Sequence, residues 1–385
     1  MGKKRKKSQS PIRRCVLCGK VVSVDSGQYV VGSTGRVVCQ ACLDLSAKVA
    51  DSQRFSAKQE TKQPTTVLTP REIIRRLDGA IIGQRRAKQA VAVALWKQQL
   101  RAGGDQTVPR SNLLLYGPTG CGKTALVREA AAIVGLPFVS FDATSLSETG
   151  YRGRDALDIV RDLVSRHERN TRLPWGVVFL DEFDKLAAMG SENRTAYNRG
   201  TQHTLLKLVE GMEVDCDGTT MSTEGLLFVF GGAFSGLTAP RKESAKTKRP
   251  VGFLAEQSAQ AGEERAEIGV ADFVAYGMEP ELIGRVGQCV PLEPLTAAQL
   301  KCILLDSRLS VYRRYQWFFR NRGVELELPR PCMDALVART LERGTGARGL
   351  NALVEELVEP LLPELAEGRL RGRVRLDGEA PRYVG

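Results

Sequence analysis

The chain has 385 residues, a length that suits two or three domains. Its 42% hydrophobic and 26% charged residues are ordinary globular proportions and exclude a wholly disordered, collagen-like or fibrous chain. The net charge of +12 is concentrated at one end: Lys3, Lys4, Arg5, Lys6, Lys7, Arg13 and Arg14 occur without an acid, and the remainder carries only +5.

Residues 1–14 therefore read as a basic, disordered tail. Such a tail can touch nucleic acid, acidic protein or anionic lipid, but a solvated segment is the simpler reading. No apolar run approaches the roughly 20 residues that span a bilayer. No apolar segment follows the charged Met-Gly-Lys-Lys start, so no secretory signal is predicted and a cytoplasmic protein is expected.

Cysteine spacing speaks next. Four of the nine cysteines form two pairs, Cys15-x-x-Cys18 and Cys39-x-x-Cys42, with 20 residues between them. Each pair places two sulfurs on one tight turn, and two turns close a tetrahedral four-thiolate zinc site. A redox pair is the alternative. A closed four-sulfur set has no open position, so the expected zinc is structural. It would hold together a segment, residues 15–46, too short for a sufficient core. Residues 47–66 are polar and read as a linker.

From residue 67 the pattern becomes that of a folded domain. Thr69-Pro70-Arg71-Glu72 carries a capping residue, a first-turn proline and a first-turn acid, which predicts a helix start. Apolar residues at helical spacing follow over residues 84–100. Residues 112–116, 137–141, 177–180 and 226–230 are short apolar runs separated by helical patterns. Strands alternating with helices predict an α/β fold with a parallel, doubly wound sheet over residues 67–292. Helical patterns at 296–321, 331–342 and 347–366 predict a smaller, mainly α domain over 293–372, with 373–385 as a C-terminal tail. The Lys/Arg-rich stretch 238–249 lacks apolar periodicity and reads as a surface loop.

Between the first strand and its helix lies Gly117-Pro118-Thr119-Gly120-Cys121-Gly122-Lys123-Thr124, which matches G-x-x-x-x-G-K-[ST]. The glycines let backbone N–H groups turn inward around phosphates, and the following helix adds its N-terminal dipole. Lys123 suits the β- and γ-phosphates, and the Thr124 hydroxyl suits Mg²⁺. Ala125 completes the candidate nucleotide-binding segment. About 60 residues on, a strand ends in Asp181-Glu182. Asp181 is placed for the Mg²⁺ shell and Glu182 for the general base that activates water. Asp184 is an alternative acid. ATP, Mg²⁺ and Zn²⁺ are the expected ligands.

With these motifs in place the chain resembles the ClpX family of AAA+ unfoldases, from about Cys15 to Leu365. The likeness rests on the cysteine segment, on Thr69-Pro70-Arg71-Glu72-Ile73 with Ile81-Ile82-Gly83-Gln84, on the blocks at 202–211 and 231–237, and on the two ATP motifs. The related HslU family shares several blocks but lacks the zinc domain. The resemblance implies a homohexameric ring with an AAA+ large domain, a small domain and a zinc domain. It implies that the ring pulls a polypeptide through its axial pore using ATP, and that a ClpP-type peptidase is a partner. Substrates and adaptors would engage the zinc domain. It also assigns roles. Ile82 would line the adenine side. Arg285, in Glu281-Leu282-Ile283-Gly284-Arg285, would be an arginine finger, and Arg348, in Gly346-Ala347-Arg348-Gly349-Leu350, a second sensor. By residue type alone, either could be a surface ion-pair partner.

Tyr151 and Arg152, in Gly150-Tyr151-Arg152-Gly153, resemble the first pore loop, with Arg152 replacing a small apolar residue. Val251-Gly252-Phe253 resembles the peptidase-docking tripeptide, although it could also pack on its own domain. Residues 212–224 depart from the family's basic pore-entrance loop. No sensor 1 residue follows from the strand that runs into Gly231-Gly232. A stand-alone remodelling chaperone is the second reading. A nucleic-acid motor is a third, disfavoured because the positive charge sits in the tail.

Overall fold

The computed structural model describes residues 13–16, 18, 20–22, 29–31, 37–40, 42, 67–147, 154–165, 175–188, 192–216, 219–237, 268–377 and 382–384. The chain divides into two compact units, 1–65 and 66–385. The first holds two small antiparallel pairings, Arg13–Arg14 with Val21–Val22 and Tyr29–Val31 with Val37–Cys39. Among the described residues of this unit, Cys15 and Val37 are buried, with Val38, Cys39 and Cys42 packed against them.

The second unit is built on five parallel strands: β1 (Leu113–Tyr116), β2 (Phe138–Asp142), β3 (Gly176–Asp181), β4 (Leu226–Gly232) and β5 (Gln288–Pro291). Their order across the sheet is β5-β1-β4-β3-β2. Four coincide with the apolar runs read from sequence, and the edge strand β5 was not foreseen. The runs are continuous rather than alternating because both faces are covered. Leu113, Leu115, Val177, Phe179, Leu227 and Val229 face the helices Arg85–Ala102 and Lys123–Val134. Leu114, Val178, Leu180, Phe228 and Phe230 face the opposite layer. The predicted helix start holds: the helix is Pro70–Leu77, and the Thr69 hydroxyl accepts the Glu72 N–H at 3.3 Å.

Beyond β5 come helices Ala297–Leu305, Val311–Arg320, Arg330–Arg343, Gly346–Val358 and Leu361–Ala366. They share one core, centred on Leu300, Phe319, Leu336, Leu350 and Val358. One expectation needs correction. Residues 373–385, read as a tail, contribute to a sheet: Gly372–Arg375 runs parallel to Val324–Glu327 and antiparallel to Arg382–Val384. Val374 is fully buried there. The segment is short and rich in arginine, which masks the alternation of its two buried residues, Val374 and Leu376. Within residues 212–224, Glu213–Cys216 pairs antiparallel with Thr219–Ser222. Among the described residues no helix is long and apolar enough to cross a membrane.

Candidate nucleotide and metal sites

The loop after β1 takes its shape from what surrounds it. Gly117 has φ 148°, and a Cβ there would lie 2.3 Å from the Leu292 carbonyl oxygen. Gly120 has φ 75°, and a Cβ would lie 2.0 Å from the Thr345 carbonyl oxygen. Both positions exclude side chains on two counts, conformation and space. The helix Lys123–Val134 starts at once, as expected for a phosphate-binding turn. Lys123 is almost fully buried, and its Nζ donates to the Gly117 and Pro118 carbonyls at 2.7 and 3.1 Å. The ammonium is thus held inside the loop that it would share with a phosphate. Burial pushes the Cys121 thiol up, which makes it a packing residue of the loop and a poor nucleophile.

β3 delivers its acid to the same place. The Thr124 hydroxyl donates to Asp181 Oδ2 at 2.9 Å, and Asp181 Oδ1 accepts the Glu182 N–H at 3.0 Å. Two hard oxygen groups side by side fit Mg²⁺. Glu182 is exposed and sits at φ 55°. A non-glycine residue in this region is held at a cost of about 1–2 kcal/mol, a frequent mark of a functional turn. Asp184, the alternative acid, behaves differently. It is buried, and its Oδ1 accepts the Ala233 N–H at 3.0 Å. It straps the end of β4 to the turn after β3. The glycines at the end of β4 have a steric reason: a Cβ at Gly231 would lie 2.4 Å from the Phe179 ring, and one at Gly232 would meet Phe234 and Asp184.

The small domain reaches this loop. The Ala347 N–H donates to the Gly120 carbonyl at 2.9 Å. Arg348 follows in the first turn of Gly346–Val358 and is exposed. Ile82 is half-buried, on the segment between the first two helices. Beside it Gln84, which sequence reasoning gave no role, links three parts of the unit. Its Nε2 donates to the Glu293 carbonyl at 2.8 Å and to the Cys121 carbonyl at 3.4 Å, and its Oε1 accepts the Glu293 N–H at 3.0 Å. Arg285 lies in the last turn of Pro280–Val286 and pairs with Glu210 at 2.8 Å; both are half-exposed. Within one chain Arg285 is thus an ion-pair partner, with its guanidinium near the surface. Tyr151, Arg152, Val251, Gly252 and Phe253 lie outside the described residues.

In the first unit, the sulfurs of Cys15, Cys18, Cys39 and Cys42 all lie within 4.8 Å of one another. Cys18 and Cys39 are 3.7 Å apart, and the Cys39 N–H donates to Cys15 Sγ at 3.4 Å. Hydrogen bonding to the Cys18 and Cys39 sulfurs pushes Cys42 up to about 12. Four cysteine sulfurs this close together could hold a metal ion between them. A soft, tetrahedral ion suits an all-sulfur set.

Comparison with known proteins agrees with this geometry. Residues 108–289 match the AAA domain (Cdc48 subfamily), and residues 295–380 match the C-terminal, D2-small domain of ClpB protein. The chain is 35% identical to the ATP-dependent Clp protease ATP-binding subunit ClpX 3 of Methylococcus capsulatus, covering 96% of this chain and 93% of that protein. The ClpX subunit of Azotobacter vinelandii is 33% identical, covering 93% and 88%. The ClpX 2 subunit of Wolinella succinogenes is 32% identical, covering 91% of each. The chain belongs to the ClpX family. It is an ATPase with an α/β AAA+ fold and an N-terminal four-cysteine cluster. Gln202 and Glu210, to which sequence reasoning gave no separate role, lie on the helix Glu192–Glu210. A buried glutamine carries no sequence signal of its own.

Proposed function

We propose that this ClpX-family ATPase is a protein unfoldase and translocase that works as a homohexamer and delivers chains to a ClpP-type peptidase. The observation that carries the reading is the meeting of two domains on one loop. Thr124 and Asp181 join at 2.9 Å below the loop, and residues 345–347 of the small domain lie on its Gly120. A change in that loop on hydrolysis therefore reaches the small domain through backbone contact. Such rigid-body motion is what mechanical work requires.

In this reading Lys123 neutralises phosphate charge within the loop Gly117–Thr124. Thr124 and Asp181 would hold Mg²⁺, which would offset phosphate charge. Glu182 accepts a proton from the attacking water. Arg285 of one subunit reaches the neighbour's γ-phosphate, and Arg348 contacts phosphate from the small domain. Ile82 and Ala125 line the nucleotide. Cys15, Cys18, Cys39 and Cys42 would hold a structural Zn²⁺, supported by their crowding. Tyr151 and Arg152 grip substrate in the pore, and Val251-Gly252-Phe253 docks the peptidase; these two roles rest on motif likeness.

The test is mass in solution with a slowly hydrolysed ATP analogue, with and without a ClpP-type peptidase from the same source. The expected result is a nucleotide-dependent hexamer that captures the peptidase and loses it on Phe253→Ala. A hexamer that ignores the peptidase would favour a stand-alone remodelling chaperone. A protein that stays monomeric with nucleotide would sink both.

A further inference from the structure

We infer that Gln202 is a positioning residue that ties the Arg285 helix to the turn carrying Glu182, so that one subunit's hydrolytic turn and its arginine move as one piece. The inference rests on the arginine-finger reading above and adds the element that aims the finger.

The helix Glu192–Glu210 runs between the two sites. Asn198 and Gln202 lie one turn apart on one face. Asn198 Nδ2 donates to the Lys185 and Ala187 carbonyls at 3.2 and 2.9 Å. Gln202 is fully buried and uses both ends of its amide. Its Nε2 donates to the Leu186 carbonyl at 2.8 Å, at the end of the short turn Phe183–Leu186 that begins directly after Glu182. Its Oε1 accepts the Glu279 N–H at 2.8 Å, at the cap of the helix Pro280–Val286 that carries Arg285. One planar amide therefore bridges both backbones. A rotation about its terminal bond would set donor against N–H and acceptor against carbonyl, so only one orientation works.

The rest of the frame closes around it. The Ala188 N–H donates to the Gly277 carbonyl at 2.8 Å. At the far end of the same helix Glu210 pairs with Arg285 itself. Asn112 Nδ2 donates to the Arg285 carbonyl at 3.3 Å while its Oδ1 accepts the Phe228 N–H. Both ends of the Arg285 helix are thus pinned, one to β4 through Asn112 and the other to the Glu182 turn through Gln202. Of these pins, Gln202 joins the acid's turn to the arginine's helix directly. A buried amide with two backbone partners tolerates no apolar replacement without leaving one donor and one acceptor unpaired.

The test is steady-state ATPase kinetics of the full chain in four forms: wild type, Gln202→Leu, Arg285→Ala and the double variant. We expect Gln202→Leu to lower kcat by about 10-fold or more while KM for ATP stays within about threefold, and to add less than about twofold in the Arg285→Ala background. An equal loss in both backgrounds overturns the inference and leaves the finger reading standing. An unchanged kcat in Arg285→Ala alone sinks the finger reading and the inference with it. If Gln202→Leu is unfolded by circular dichroism, Gln202→Glu supplies the same comparison in both backgrounds.

Discussion

Gln84→Leu probes the joint between the two ATPase domains with little change in side-chain volume. Gln84 is nearly buried and makes two short bonds, both to the backbone of Glu293, and a longer one to the Cys121 carbonyl. Each short bond contributes about 1 kcal/mol net, and each buried partner left unpaired adds about 1–3 kcal/mol. Glu293 is an exposed residue, so water can reach part of its freed backbone and the lower end applies. Two bonds and two unpaired partners at about 1 kcal/mol each make about 4 kcal/mol. At roughly 2–4 °C per kcal/mol, the first thermal transition should fall by about 8–16 °C. Calorimetry on the full chain measures it. A loss below about 0.5 kcal/mol, within the range of ordinary surface substitutions, would refute the assignment of Gln84 as the interdomain tie.

Further outcomes follow from the same geometry. Glu182→Gln should retain ATP binding while hydrolysis falls by about 100-fold or more, read by equilibrium binding beside single-turnover kinetics. Removing metal with a chelator, or replacing one ligand in Cys39→Ser, should lower bound zinc from one per chain towards none and melt only the first unit, as followed by metal analysis and hydrogen exchange. Glu210→Gln breaks the pair with the half-exposed Arg285, so stability should change by no more than about 1 kcal/mol in a denaturant titration. Arg152→Val should shift the relative degradation rates of acidic and neutral substrates; a uniform effect on all of them would exclude a charge-based grip.

Much of the large domain was legible because its signals are local. Both-face burial makes β1, β3 and β4 continuous apolar runs, and the phosphate loop needs glycine at fixed offsets. The edge strand Gln288–Pro291 was not, because only Val290 is fully buried and Gln288 is exposed. Its identity as a strand comes from pairing with β1. The Arg373-containing strand was read as tail because exposed arginines flank its buried Val374.

The sequence by itself determined the chemistry: a loop that can turn around phosphate, an acid pair at a strand end, and four thiols at metal spacing. These depend on residues a few positions apart, where backbone geometry leaves little choice. Tertiary structure alone decided which of two nearby acids is exposed, with Glu182 facing out and Asp184 strapped to Ala233. It also decided that Gln84 and Gln202 are ties between distant segments. A glutamine is equally at home on a surface, and only the unpaired backbone groups brought to it by folding give it a role.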